Sequence, residues 1–184
     1  MTRPRAVATW VAATLAIMLA SACSGRTSPE AAALADVIRG AQTAELNLET
    51  VPAGYRGPSS SAELMQPVLD HVPTELAKYY VGTLLARKVT QHRNGIRQMA
   101  EAGGGGRIGG VKTLALRVVW VSGATASVSA EVTVWFKSAQ FWNQPVSSQP
   151  AETNVIDLDL HLVNDGRTWK IDQEHWQFAP GGGP

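Results

Sequence analysis

The chain has 184 residues, 16 Lys+Arg against 15 Asp+Glu, 45% hydrophobic and 17% charged residues, and a single cysteine. That is the composition of one folded domain with an ordinary core, since single domains mostly run to about 100–200 residues, and a formal charge of +1 supplies no basic surface for nucleic acid. One cysteine excludes an internal disulfide, a thiolate zinc cluster and a paired-cysteine redox centre.

The first residues carry an address. Arg3 and Arg5 precede an apolar run from Ala6 to Ala20, followed by small residues, the layout of an export signal. The run spans only about 22 Å as a helix, short of the ~30 Å hydrocarbon core, which favours a cleaved signal over a permanent span. Leu19-Ala20-Ser21-Ala22-Cys23 resembles a bacterial lipobox, with Ala20 where leucine is commoner. That resemblance implies lipidation of Cys23, which becomes the first residue of the mature chain and anchors it to the outer face of the cell membrane. Removing residues 1–22 leaves 162 residues with 14 basic and 15 acidic side chains, a charge of −1, so membrane attachment would rest on the lipid. The expected organisation is an export signal over 1–22, a short tether over 23–28, one domain over 29–178 and a frayed glycine-rich tail over 179–184.

The domain divides by period. Ser28-Pro29-Glu30 reads as a helix start, and Leu34, Val37, Ile38 and Ala41 follow at helical spacing, predicting a helix over 29–46. Residues 50–60 read as loop. Ser60 and Glu63 have capping-box spacing for a second helix, which Pro73 is expected to interrupt; Thr74-Glu75 then starts a longer one through Leu76, Tyr80, Leu84, Leu85, Val89 and Ile96. Gly103 to Gly106 read as a flexible connection. The spacing of Gly104, Gly106 and Gly109 matches a dinucleotide fingerprint only in letters, because no strand precedes it and no helix follows.

From Val111 the period becomes two. Leu114, Leu116, Val118 and Trp120 are expected on one face of a strand, with a turn at Ser122-Gly123. Ala126, Val128, Ala130, Val132, Val134 and Phe136 alternate with Thr125, Ser127, Ser129, Glu131, Thr133 and Trp135 in the next. After a polar loop at 143–154, Ile156, Leu158, Leu160 and Leu162 oppose Asp157, Asp159 and His161, and Asn164-Asp165-Gly166 turns into the last strand, 168–178. Helices followed by an antiparallel meander with one apolar face give an α+β fold.

The alternating strand ATASVSAEVTVWF and the closing hairpin, with Leu160, Leu162, Gly166, Trp169 and Ile171 in the pattern L-x-L-x-x-x-D-G-x-W-x-I, resemble the NTF2-like (SnoaL-like) superfamily over residues 74–178. The resemblance implies a cone, a strongly curved sheet around helices, whose interior is a pocket in some members and mere packing in others.

Several side-chain sets invite chemistry. Asp157, Asp159 and His161 share a strand face and, turned inward, would form the acid/base set that the resemblance implies for NTF2-like isomerases and dehydratases; the apolar row opposite them argues for a solvated face. Tyr80 could reach the same pocket or pack in the core. Arg87, Lys88, His92, Arg93 and Arg97 read as a scattered solvated surface. The histidines lack metal-ligand spacing, and no cofactor is implied. Five of six tryptophans lie in the strand half. Trp135, Phe141, Trp142 and Trp176 are candidate interface anchors, with a cross-strand Trp135–Trp176 pair as the alternative for the first. Two function classes follow: a membrane-tethered, non-catalytic domain contacting an envelope or secretion partner or its own copy, or a pocket protein for a small hydrophobic ligand or an isomerase-like enzyme.

Overall fold

The computed structural model describes residues 28–49, 56, 62–141 and 143–182; Cys23 and Trp142 lie outside them. The expected α+β layout is present: α1 (Pro29–Leu48), α2 (Ala62–Leu76) and α3 (Gly82–Glu101) precede β1 (Gly106–Ser122), β2 (Thr125–Ala139), β3 (Glu152–Asn164) and β4 (Trp169–Phe178). The sheet is an antiparallel meander in sequence order.

α1 begins where local chemistry starts it. The Ser28 hydroxyl accepts from the Ala31 amide at 3.1 Å, with Pro29 in the first turn, so an orphan donor and a residue without one occupy the two positions that suit them. Leu34, Ile38, Ala41, Ala44 and Leu48 form its buried stripe. α2 does not stop at Pro73, as expected, but runs through Pro67 and Pro73 to Leu76. Pro73 has no N–H for the Leu69 carbonyl; Arg93 Nε of α3 donates to that carbonyl instead, at 2.9 Å. The break comes at residues 77–81, where the backbone leaves the helix to bridge β4. The Ile171 N–H donates to the Tyr79 carbonyl at 2.8 Å and the Val81 N–H to the Ile171 carbonyl at 3.0 Å.

Ala126, Val128, Ala130, Val132 and Val134 of β2 and Ile156, Leu158, Leu160 and Leu162 of β3 are buried against the helices. Burying each larger aliphatic side chain contributes roughly 1.5–3 kcal/mol. This row fixes the register, because a one-residue slip would turn all of it to water.

β1 departs from its expected faces. It starts at Gly106, taking in glycines read above as connection, and carries two register shifts, at Val111/Thr113 and Leu116/Val118. The second inserts Arg117. Leu114 and Leu116 stand opposite Val132 and Ala130 on the inner face, whereas Val118 and Trp120 stand opposite Ser129 and Ser127 on the outer one. The extra residue reverses the side-chain parity, leaving Val118 60% and Trp120 54% exposed.

Trp135 is half-buried and lies over Gly110, where an added Cβ would come 3.3 Å from its Nε1. It pairs with Thr153 on the outer face, whereas Trp176 pairs with Leu158 on the inner. The alternative Trp135–Trp176 pair is therefore corrected: the sheet separates the two rings, and Trp176 packs edge-on against Phe178, centroids 5.5 Å apart. The expected frayed tail is held as far as Gly182, whose carbonyl accepts from the Val155 N–H at 3.0 Å.

Candidate functional site

The outer face of β3 holds the three residues of the expected acid/base set. Asp157, Asp159 and His161 pair across the sheet with Glu131, Ser129 and Ser127, so their side chains point away from the helices. Each has a local partner: Arg117 Nη1 lies 3.0 Å from Asp157 Oδ1 and also contacts Glu131, Ser129 bonds Asp159, and His161 Nδ1 stands 2.6 Å from Asp172 Oδ1. They form a ladder of cross-strand pairs on an open surface and do not converge on a shared point in a cavity.

Tyr80 goes elsewhere, and with it lies a cluster that the sequence reading missed. Tyr80 is fully buried and donates to Glu45 of α1. Lys88 Nζ donates to both Glu45 oxygens, at 2.8 and 2.9 Å, and to Glu174 Oε1 of β4 at 2.9 Å. His92 Nε2 stands 3.4 Å from Glu45 Oε2. Its Nδ1 is 3.3 Å from Glu49 Oε1, near enough for charge attraction but outside hydrogen-bond alignment, and Arg107 of β1 approaches Glu49 at 3.7 Å. Lys88 and His92 are thus corrected from a solvated surface to the interior, where Leu84, Lys88, His92 and Ile96 make the buried stripe of α3. The reason is positional: the four are spaced by four residues and share a helix face. The signal was the continuation of the Tyr80–Leu84 spacing through two charged positions.

Burial in an apolar interior disfavours charge, and the pairings here outweigh it at most members. Burial raises the Glu45 pKa, but the His92 hydrogen bond and the charge and bonds of Lys88 hold it at about 2. Burial lowers that of His92, and the carboxylates of Glu45 and Glu49 beside its ring overcome it, pushing it up to about 9. Lys88 is likewise raised against the effect of burial by Glu45 and Glu174. Glu174 is the exception. Burial raises its pKa despite Lys88, in keeping with a buried Oε2 that has no hydrogen-bond partner among the described residues. Burial, then the charges of Glu45 and Glu174, push Tyr80 well above the usual phenol range.

This cluster ties α1, α3, β1 and β4 together through mutually paired groups. Two surface hollows lie apart from its centre. A groove of ≈ 840 Å³ between α1 and α2 is lined by residues including Gly40, Ala44, Leu48, Val68 and Tyr79; a hollow of ≈ 370 Å³ at the end of α3 includes Glu49, Arg107 and Phe141. Neither is lined by Tyr80, Lys88 or Glu174, whose polar atoms turn toward one another and Glu45. Among the described residues no three His, Cys, Asp or Glu side chains are placed to hold a metal ion, and no helix is long and apolar enough to cross a membrane.

Of the candidate anchors, Phe141 and Trp176 are exposed, Trp176 at 52%, and Phe178 joins Trp176. Val118 and Trp120, expected on one face with Leu114 and Leu116, are exposed as well.

No protein-family model and no curated protein matches the chain. Among solved structures it is similar to the intermembrane-space region of the chloroplast protein ARC6, at 15% identity over 84% of this chain and 99% of that one, with a TM-score of 0.52. Looser likenesses are to the periplasmic domain of DotI (13% identity, 85% and 100% covered, TM-score 0.47) and to an Ntf2-like protein involved in plasmid conjugation (14% identity, 80% and 49% covered, TM-score 0.38). At such identities the likeness is one of fold.

Proposed function

We propose that the chain is an exported lipoprotein whose NTF2-like domain is a non-catalytic protein-binding module of the cell envelope, held at the outer face of the membrane through Cys23. The observation that carries the binding role is a contrast in placement. Glu45, Lys88, His92 and Glu174 are paired with one another in the interior and Asp157, Asp159 and His161 are spread over an outer sheet face, while large apolar side chains stand in water at Phe141, Trp176 and Phe178 and at Val118 and Trp120. Exposed apolar groups of this size mark contact surfaces more often than reaction centres.

Two measurements test it. A photo-crosslinking residue in place of Phe141 or Trp176, introduced in cells, is expected to give discrete protein adducts, whereas the same residue in place of Asp165 in the β3–β4 turn gives none. Identical adduct patterns from all three sites would refute the binding role. For the anchor, Cys23→Ser is expected to abolish incorporation of labelled fatty acid. Undiminished labelling of that variant would remove the lipoprotein part of the reading and leave the binding part standing.

The second reading, a carrier of a small hydrophobic ligand, rests on the groove between α1 and α2, whose walls include Gly40, Ala44, Leu48 and Val68. Saturable binding of a fluorescent fatty acid, lost in Val68→Glu, would favour it over the first.

A further inference from the structure

A four-stranded meander has two edges, and their backbone groups need partners or protection. The β4 edge is met at Ile171 by the backbone of Tyr79 and Val81. The start of β1 is closed by the end of α1. The Arg107 N–H donates to the Glu49 carbonyl at 3.0 Å, and the Asn47 side chain exchanges bonds with the Gly109 N–H and carbonyl at 3.2 and 2.8 Å. Beyond Gly110 no group among the described residues bonds the outer edge of β1. Its middle is guarded by two register shifts and by Lys112 and Arg117, devices that discourage strand addition. Past Arg117 the guard ends: Val118 to Ser122 pair with β2 without interruption, carry no charge, and include Val118, Val119 and Trp120, all exposed.

We propose that this distal edge of β1 is the contact between two copies of the chain, which join as antiparallel strands about a two-fold axis at Trp120. This deepens the binding-module reading and rests on it, naming one partner of that module. An open edge accepts an extended strand, because only a strand satisfies the row of N–H and C=O groups. The occupant is argued from the order of residues. Centring the pair on Trp120 keeps all of it inside the regular stretch. Trp120 then faces the second copy's Trp120 on the outer side, Val119 faces Val121 twice on the inner side, and Val118 faces Ser122. Every apolar side chain but Val118 meets an apolar one, as cross-strand stabilisation requires, and no like charges oppose each other. A second copy supplies this complementary order by symmetry. The contact is small, below ~1,200 Å², so the association is weak and concentration-dependent.

The test uses the full-length chain with Cys23→Ser, so that an introduced cysteine is its only thiol. At a two-fold centre, Trp120→Cys places two sulfurs within disulfide reach and is expected to give a covalent dimer under mild oxidation at least about tenfold faster than Trp176→Cys, an equally exposed site away from the axis. Mixing Val118→Cys chains with Ser122→Cys chains is expected to give dimers that neither forms alone. Val119→Lys, folded by circular dichroism, is expected to suppress both. Equal rates at 120 and 176, or cross-linking indifferent to Val119→Lys, overturns the two-fold edge. Adducts to other proteins from positions 141 and 176 would then still stand, so loss of this inference is separable from loss of the binding role.

Discussion

Replacing Lys88 with methionine is expected to lower the free energy of unfolding by about 3–5 kcal/mol, the loss found when one partner of a buried ion pair is removed. Methionine fills much of the same volume and keeps the helix, so the effect isolates the charge. Without Nζ, Glu45 loses two bonds and Glu174 loses the one its Oε1 makes, and the two carboxylates are left without the cation between them. Removing the whole set behaves differently, because desolvation and attraction nearly cancel in a complete buried network. Lys88→Met with Glu45→Gln and Glu174→Gln is therefore expected to be more stable than Lys88→Met alone, in spite of three changes. Urea denaturation of the wild type and both variants checks it. A loss under about 1 kcal/mol for Lys88→Met, the range of an exposed pair, would show that the cluster is solvated.

Alkaline pH is expected to remove stability of the order of 3 kcal/mol through His92, at about 1.4 kcal/mol per unit of pKa difference between folded and unfolded chains. The folded pKa is about 9 against an ordinary 6.5, raised by the neighbouring carboxylates of Glu45 and Glu49 over the opposing effect of burial. A raised base contributes in full below its unfolded pKa, and the contribution fades as pH climbs from 6.5 through 9. Glu45, held at about 2 against an ordinary 4.5, contributes in full above 4.5 and fades as pH falls toward 2. Glu174, raised by its burial, acts the other way, favouring the folded state only while protonated. The stability maximum is thus expected between about pH 5 and 6.5. Denaturant midpoints from pH 5 to 10 test this with His92→Gln as the control, since glutamine keeps a donor and an acceptor but cannot titrate. Parallel alkaline limbs in the two proteins would assign the loss to another group.

Much of the fold could be read from the residues because the physics there was local. Ser28 and Pro29 announce α1, and period-two rows announce β2 and β3 together with their inner faces. Reading failed where a distant partner overrides a local rule. Pro73 breaks a helix in isolation, but Arg93 takes over the carbonyl it leaves unbonded. Alternation puts Trp120 on the face of Leu114 and Leu116, and one inserted arginine turns it to the other. Lys88 and His92 belong to water by composition. Their spacing puts them on the buried stripe of α3, but the acids that pair them there, Glu45 and Glu174, lie 43 and 86 residues from Lys88 along the chain, so no short window shows both. Tyr80, read as reaching a pocket or packing in the core, is buried with its hydroxyl bonded to Glu45.

The ionic cluster also sets an order of events. The three helices are complete long before the ribosome reaches Glu174, and until then α3 carries a face on which Lys88 and His92 alternate with Leu84 and Ile96, with one of its two principal acids still missing. Such a face is poorly suited to lock onto α1 early, because docking would bury a cation with half its counter-charge. The last strand brings the remaining carboxylate, and its Ile171 closes the bridge to the α2–α3 turn in the same stroke. Final closure of the domain is therefore coupled to arrival of its C-terminal hairpin, a long-range step of the kind that slows folding. The helices stay loosely associated for as long as that hairpin is withheld.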